Sequence, residues 1–220
     1  MKKCMMLLLL TLFCSGCFAA KPPVWLVSGH KYLEMFKEDY LANKEPATTE
    51  IHFRKSLEQI KNGGDLDLLA KAWLNRMALQ IAVLEEPASE EYKQITAAAP
   101  DPVNDNFFLF LTENSAAVDI SLLPEIYHPF GEALRTTNKT IVAGAIFNIT
   151  EPLSRLVASG LAVRNNLYDE ELITAAVKTA SEKGWKRALL AWLERLRIFY
   201  ATSRNVEKAA AISRRLELLR

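Results

Sequence analysis

Apolar residues recur every three or four positions through the end of the chain, and this spacing predicts α-helix. The first run follows one helix face and comprises Trp185, Leu189, Trp192, Leu193, Leu196, Phe199 and Tyr200. After a break at 203–205 the period resumes with Val206, Ala209, Ala210, Ile212, Leu216 and Leu219. Two helices joined by a few residues lie antiparallel, so this segment predicts a helical hairpin.

A second hairpin is predicted between Asp65 and Ala99. Its first helix is expected over 66–84, behind an N-cap at Asp65. An apolar stripe at four-residue spacing supports it, formed by Leu69, Trp73, Met77 and Ile81. Pro87 ends this helix, and Ser89 begins a shorter one that stops before Pro100.

The remaining segments also predict helices, separated by proline, glycine and asparagine. Ser28 is the expected cap of a helix over 29–43, and Thr48 or Thr49 opens the next, which closes at 62–64. The run Phe107–Leu111 fits a buried strand or a helix, and helix is preferred because no partner strand is visible. Further helices are predicted over 124–134, 140–149, 152–163 and 169–183, with 140–149 and 152–163 as buried central helices. The predicted fold class is all-α, a repeat-like array of antiparallel helical hairpins.

The closing hairpin resembles a tetratricopeptide repeat, a helix-turn-helix unit of about 34 residues that stacks into scaffolds for partner proteins. The positions that match at spacings of 3, 4 and 9 are Leu193, Leu196, Tyr200 and Ala209. The chain departs from the pattern at Arg197, where glycine is usual, and at Ser213, where a large aromatic is usual. The resemblance implies a degenerate repeat, and generic helix packing accounts for the same residues.

The first twenty residues have the layout of a secretory signal peptide. Lys2 and Lys3 form a basic head, the run Met5–Leu10 is apolar, and small residues follow Phe13. The apolar stretch is about half of the ~20 residues that a membrane-spanning helix needs, so a permanent span is disfavoured.

The cleavage region Cys14-Ser15-Gly16-Cys17 resembles the lipobox of bacterial lipoproteins, although leucine is usual where Cys14 stands. The resemblance implies that Cys17 carries lipid on its thiol and on its new amino terminus. It also implies a protein of the cell envelope, and Phe18, where inner-membrane lipoproteins often have aspartate, favours the outer membrane facing the periplasm. Two alternatives remain open: ordinary cleavage near Ala19 or Ala20, which would release a free periplasmic protein, and a hydrophobic leader that contains cysteines without carrying lipid.

These features divide the chain into three parts. Residues 1–16 are the predicted signal peptide, 17–27 the lipidated cysteine with an extended tether containing Pro22-Pro23, and 28–220 a single helical domain. All three cysteines lie in the leader, at Cys4, Cys14 and Cys17, so a disulfide framework, a cysteine zinc site and an iron–sulfur cluster are excluded.

No residue is nominated as catalytic, and neither a metal nor a cofactor is expected. The histidines His30, His52 and His128 lack metal-ligand spacing, although Glu125 and His128 could share a ligand in a helical turn. The acidic pairs 85–86, 90–91 and 170–171 are adjacent in sequence and therefore point in different directions on a helix. Paired acid and base chemistry needs two carboxyl groups that converge on one bond.

Charge is distributed unevenly, although the net charge is only +1. Between Glu85 and Glu132 there are ten acidic residues against Lys93 alone, and from Lys183 to Arg220 there are ten basic residues against three acidic ones. The asymmetry indicates a docking face, solvated helix faces or attraction between two parts of the fold. Nucleic acid is not an expected partner, because the aromatic residues follow the buried stripe and not the arginines.

The sequence thus predicts a lipid-anchored envelope protein that acts as a non-catalytic scaffold for protein interaction or assembly. Its partners would be the membrane, through the lipid, and one or more proteins. Two alternatives remain open. One is a periplasmic enzyme that acts on the cell wall through one of the glutamates. The other is a small-molecule binder that uses the apolar helices around Gly144 and Gly160.

Overall fold

The structure, a computed structural model, describes residues 21–112 and 117–220. Within these residues the protein is all-α, with eleven α-helices and no strand. In chain order the helices are α1 (Val24–Leu41), α2 (Pro46–Gly63), α3 (Leu66–Ala82), α4 (Glu90–Ala98), α5 (Pro102–Thr112), α6 (His128–Arg135), α7 (Lys139–Phe147), α8 (Pro152–Arg164), α9 (Glu170–Glu182), α10 (Lys186–Thr202) and α11 (Val206–Leu219). The 3-10 helices Ile120–Leu122 and Glu125–Tyr127 precede α6. The predicted all-α array of helical hairpins is confirmed.

Helices α1 and α2 form the first hairpin. Phe36 and Phe53 are buried between them, with ring centroids 4.7 Å apart. Ser56 Oγ donates a hydrogen bond to the carbonyl oxygen of Gly29 at 2.8 Å, so the two backbones lie close together there. Gly64 closes α2 with a φ of +68°, which confirms the predicted end of this helix.

Helix α1 begins five residues earlier than predicted. Pro23 precedes its first turn with a φ of −56°, and the helix starts at Val24. Ser28 therefore lies inside the helix, and residues 24–27, predicted as extended tether, are helical. The physical reason is tertiary: the indole of Trp25 packs so closely on Gly63 that a Cβ there would overlap it. This contact holds the first turn of α1 against α2.

Acidic side chains cap several helices as the sequence suggests. Asp65 and Asp169 each accept a hydrogen bond from the backbone amide three residues later, at 2.9 Å. Helix α2 differs from the prediction, since Glu45 is its cap and accepts from the amide of Thr48. Thr49 is buried one turn into the helix. Pro46 occupies the first helical position and has no backbone N–H that would need a partner there. This explains why α2 begins earlier than predicted.

Helix α3 lies at the centre of the fold. Its buried residues lie on all of its faces. They are Leu69, Ala70, Ala72, Leu74, Met77, Leu79, Ile81 and Ala82. It packs most extensively against α8, where a Cβ on Gly160 would overlap the carbonyl oxygen of Ile81. The predicted pairing of α3 with α4 is present, but α4 has only nine residues and covers less of α3 than α8 does.

The predicted helix at 107–111 is confirmed as part of α5, and α8 is a buried central helix as predicted. The prediction that α7 is also a buried central helix is wrong, because Ile141 is 50 % exposed and Phe147 lies at the surface. Apolar composition on every face led to the expectation of burial, but only the face with Val142 and Ile146 packs on the core. No helix in the described ranges is both long and apolar enough to cross a membrane.

The last three helices form the end of the array, with α10 packed against both α9 and α11. The predicted closing hairpin of α10 and α11 is confirmed. Arg197, at the glycine position of the repeat pattern, pairs with Glu194 at 2.6 Å, and Ser213 Oγ donates to the carbonyl of Ala209. Both side chains that depart from the repeat pattern therefore have polar partners within their own helices.

Candidate functional site

The predicted lipidation site, Cys17, lies outside the residues that the structure describes. The same holds for the predicted signal peptide at 1–16 and for residues 18–20 of the tether. Lipid attachment at Cys17 therefore stays a prediction.

The three histidines have separate environments, and His30 is exposed on α1. His52 Nδ1 lies 2.8 Å from a carboxylate oxygen of Asp39, and His128 Nε2 lies 2.8 Å from the carbonyl oxygen of Leu123. His128 begins α6, and Glu125 is exposed in the preceding 3-10 helix. Nowhere in the described part of the chain do three His, Cys, Asp or Glu side chains group as a metal ion requires.

Two apolar pockets flank the central helix α3. The first, here called the α1 pocket, has a volume of about 490 Å³ and lies between α1, α2 and α3. Its apolar wall is formed by Leu26, Val27, Leu33, Ile60, Leu68 and Ala72. The second, the α5 pocket, has a volume of about 300 Å³ and is lined by Leu74, Ala78, Phe107, Tyr127, Leu153 and Val157. Lys71 and Asn75 line both, so the two pockets form one groove across α3, here called the α3 groove.

Lys71 and Asn75, which both pockets share, belong to a polar row on α3. Asp67, Lys71 and Asn75 follow one another at four-residue spacing and therefore lie on the same face of α3. Lys71 Nζ donates to Asp67 at 2.7 Å, and Asn104 Nδ2 donates to the other carboxylate oxygen at 2.7 Å. These two hydrogen bonds lower the pKa of Asp67, so the carboxylate is ionised at neutral pH. The row combines one positive charge, one negative charge and one amide.

Asn75 has unused hydrogen-bonding capacity at the centre of the groove. It is exposed, and its Nδ2 donates to the carbonyl oxygen of Lys71 at 2.9 Å. An amide has a second N–H and an oxygen acceptor, so Asn75 can still donate and accept. At the wall of the α5 pocket, burial raises the pKa of Tyr127 to about 12, so its phenol keeps its proton at neutral pH.

Sequence reasoning missed this groove. The four-residue spacing of Asp67, Lys71 and Asn75 is visible in the sequence, but it is also typical of any solvated helix face. The two pockets depend on α1 and α5, which approach α3 from different parts of the chain. No local pattern predicts that approach.

A separate, charged cleft of about 290 Å³ lies where α3 ends against α8 and α10. Glu85 at its edge accepts from Arg187 at 2.7 Å and, with its second oxygen, from the hydroxyl of Tyr40 at 2.6 Å. Burial and the bond to Glu85 raise the pKa of Tyr40. Glu85 and Arg187 belong to the acidic and basic parts of the sequence, so this pair is one contact between those parts. Because both of its oxygens are engaged, Glu85 suits a structural role better than proton transfer.

The structure does not bring Gly144 and Gly160 together. Gly160 is buried against α3, whereas Gly144 is exposed and no atom lies within 4 Å of a Cβ built there. An apolar ligand pocket around these two glycines, as the small-molecule alternative expects, is therefore not formed by them.

The fold and the groove together define the class: an all-α array of helical hairpins with a two-pocket groove across its central helix. Comparisons of the chain with protein-family models, curated proteins and solved structures found no match. The resemblances of the leader to a lipobox and of the closing hairpin to a tetratricopeptide repeat stay predictions.

Proposed function

We propose that this chain is a lipid-anchored protein of the cell envelope, facing the periplasm from the outer membrane, and that it acts as a non-catalytic interaction scaffold. The leader supports the anchor, because a basic head, a short apolar run and small residues precede Cys17. The α3 groove supports the scaffold role, because it combines two apolar pockets with free hydrogen-bonding groups. It is the single observation that carries the proposal.

The proposed occupant is a peptide segment of a partner protein with two apolar side chains on the same side. One side chain enters the α1 pocket and the other the α5 pocket, which removes apolar surface from water on both partners. Between them, the peptide backbone crosses Lys71 and Asn75. Asn75 pairs with a backbone N–H and C=O, which would otherwise lose their bonds to water.

The groove favours such a segment over a fully apolar ligand. Lys71 and Asp67 form an exposed ion pair between the pockets, and an uninterrupted hydrocarbon chain across it would desolvate both charges without replacing their hydrogen bonds. A peptide supplies polar backbone at that point and apolar side chains on either side. Walls from α1, α3 and α5 set the distance between the two pockets, and so select the spacing of the two side chains.

Photo-crosslinking in intact cells tests the occupant. A benzophenone amino acid at position 75 is expected to trap one discrete partner, which mass spectrometry identifies together with the crosslinked segment. The matched control is position 94, because Gln94 is also an exposed amide on a helix but lies on α4, away from the groove. Equal crosslinking from both positions would contradict the proposal.

The purified partner segment then gives a quantitative test. Asn75→Arg places a large cation between the pockets and is expected to weaken binding by about tenfold or more, a loss of about 1.4 kcal/mol per factor of ten. Gln94→Arg, with the same change of charge, should bind as the unchanged protein does. Unfolding midpoints of both variants are measured to show that the fold is retained.

The anchor is tested separately. The mature protein should begin at Cys17 and carry the mass of its acyl groups, and Cys17→Ser should move it from the membrane fraction to the soluble periplasm. Cys14→Ser, which removes a thiol only three residues away, should leave anchoring unchanged. An unmodified amino terminus beyond Cys17 would refute the lipoprotein assignment and leave the groove proposal standing.

A further inference from the structure

The charged cleft is distinct from the α3 groove. Its apolar floor is formed by Ile81, Leu84 and Val163, and its charged rim by Glu85, Glu86, Arg164 and Arg195. Its volume of about 290 Å³ is close to the lower end of the ~300–1,000 Å³ typical of ligand pockets. The cleft therefore suits a small molecule better than a polymer.

One rim arginine already binds a carboxylate of the protein itself. Arg164 donates through Nη1 to the carbonyl of Leu111 at 2.9 Å and through Nη2 to Glu86 at 3.1 Å. The Glu86 side chain is 86 % exposed, so only this bond to the guanidinium keeps it at the cleft. An exposed ion pair of this kind contributes little to stability, and a competing carboxylate can replace it at small cost.

The second rim arginine is held in place without an anionic partner. The guanidinium of Arg195 lies over the ring of Tyr168, 5.1 Å from its centroid, and this stacking orients it. Within the described residues Arg195 forms neither an ion pair nor a side-chain hydrogen bond. Its five N–H donors are therefore available, and the group stays charged at any physiological pH.

The backbone around the cleft offers few competing acceptors. The carbonyl of Ile81 accepts from the amide of Leu84 at 3.0 Å, and the carbonyl of Ala82 accepts from the indole of Trp192 at 2.9 Å. At the end of α8, the amide of Asn166 satisfies the carbonyl of Val163. Since Glu85 is neutralised by Arg187 and Glu86 by Arg164, Arg195 leaves an unbalanced positive charge at the rim.

We propose that the cleft binds a small carboxylic acid, which bridges Arg164 and Arg195 and displaces the carboxylate of Glu86. Guanidinium groups donate strong, charge-assisted hydrogen bonds to carboxylates, and Glu86 already accepts one such bond from Arg164. The apolar floor takes the carbon skeleton of the acid. This site is independent of the partner segment proposed for the α3 groove.

Ligand-observed NMR titration of the full chain, purified in detergent, tests the site with succinate as the probe and succinamide as its uncharged counterpart. Succinate is expected to bind saturably and succinamide not to bind. Arg195→Gln should weaken succinate binding by about tenfold or more, because a hydrogen bond to a charged group is lost. Glu86→Gln should strengthen binding several-fold, because Arg164 is released from its internal partner.

Arg214→Gln is the matched control, since it removes the same charge from an exposed position on α11 outside the cleft. It should bind succinate as the unchanged protein does. The gain expected for Glu86→Gln cannot result from misfolding, which makes the pair of variants decisive. The proposal is overturned if the unchanged protein shows no saturable binding, if Arg195→Gln and Arg214→Gln bind alike, or if Glu86→Gln fails to strengthen binding.

Discussion

Trp192 joins the end of the chain to its centre, and its replacement by phenylalanine should measure the strength of that connection. The side chain is fully buried, and its indole N–H donates to the carbonyl of Ala82 at 2.9 Å across 110 positions of sequence. Ala82 is the last residue of α3, so its carbonyl has no partner within the helix. The indole thus satisfies a helix end and docks α10 on it.

The expected cost of Trp192→Phe has two parts. Without the donor, a buried carbonyl loses its hydrogen bond, which costs about 1–3 kcal/mol. The smaller ring also leaves unfilled space equivalent to two or three buried methylene groups, at about 0.8 kcal/mol each. Together these losses amount to roughly 3–5 kcal/mol, a large share of the 5–15 kcal/mol that is typical for a whole domain.

Urea unfolding followed by far-ultraviolet circular dichroism measures this loss. The midpoint should fall while the slope of the transition stays unchanged, because the surface exposed on unfolding is nearly the same. Trp185→Phe is the control: Trp185 is half-buried, and its Nε1 forms no hydrogen bond with any described residue. If both substitutions lower the free energy of unfolding equally, Trp192 does not act through the carbonyl of Ala82, and the reasoning is refuted.

Two further predictions concern packing and pH. Gly160→Ala should destabilise the fold by about 1–3 kcal/mol, because its Cβ meets the α3 backbone, whereas Gly144→Ala should stabilise it by roughly 0.5–1 kcal/mol through helix propensity. Thermal unfolding midpoints of both variants test this difference in stability. Equal shifts of the two midpoints would contradict the close contact of α3 with α8. Hydrogen bonds from Lys208 and Tyr200 lower the pKa of Glu170 below its usual 4.5, so its stabilisation is present above that pH and is lost as pH falls through the folded value. Glu170→Gln should accordingly flatten the acid limb of a plot of unfolding midpoint against pH, and an unchanged acid limb would exclude a role for this carboxylate.

Local signals predicted most of the helices correctly. Asp65 caps α3 as predicted, α9 begins beside Asp169 where a helix was predicted to start, and Gly64 ends α2, because capping depends on side chains within a few residues of the helix end. Predictions failed where a distant contact outweighed the local signal. Trp25 packs on α2 and extends α1 into the expected tether.

The α3 groove likewise depends on distant contacts that local sequence signals do not predict. Lys71 and Asn75 lie on the polar face of a helix that the sequence predicted well, but their position between two pockets depends on α1 and α5. The sequence also suggested that α3 pairs mainly with α4. In the structure α8 is its main neighbour, since a glycine at 160 permits the closer approach.

By itself, the sequence determined the fold class, because apolar spacing and caps act within single helices, and it determined the expectation of a lipid anchor at Cys17, because that pattern lies in a few consecutive residues. The tertiary structure decided which helices are neighbours, where α1 begins, and that two apolar pockets meet at Asn75. These features depend on how buried surfaces fit each other across the chain. Burial energy is non-directional, so it favours compact packing without specifying which faces meet.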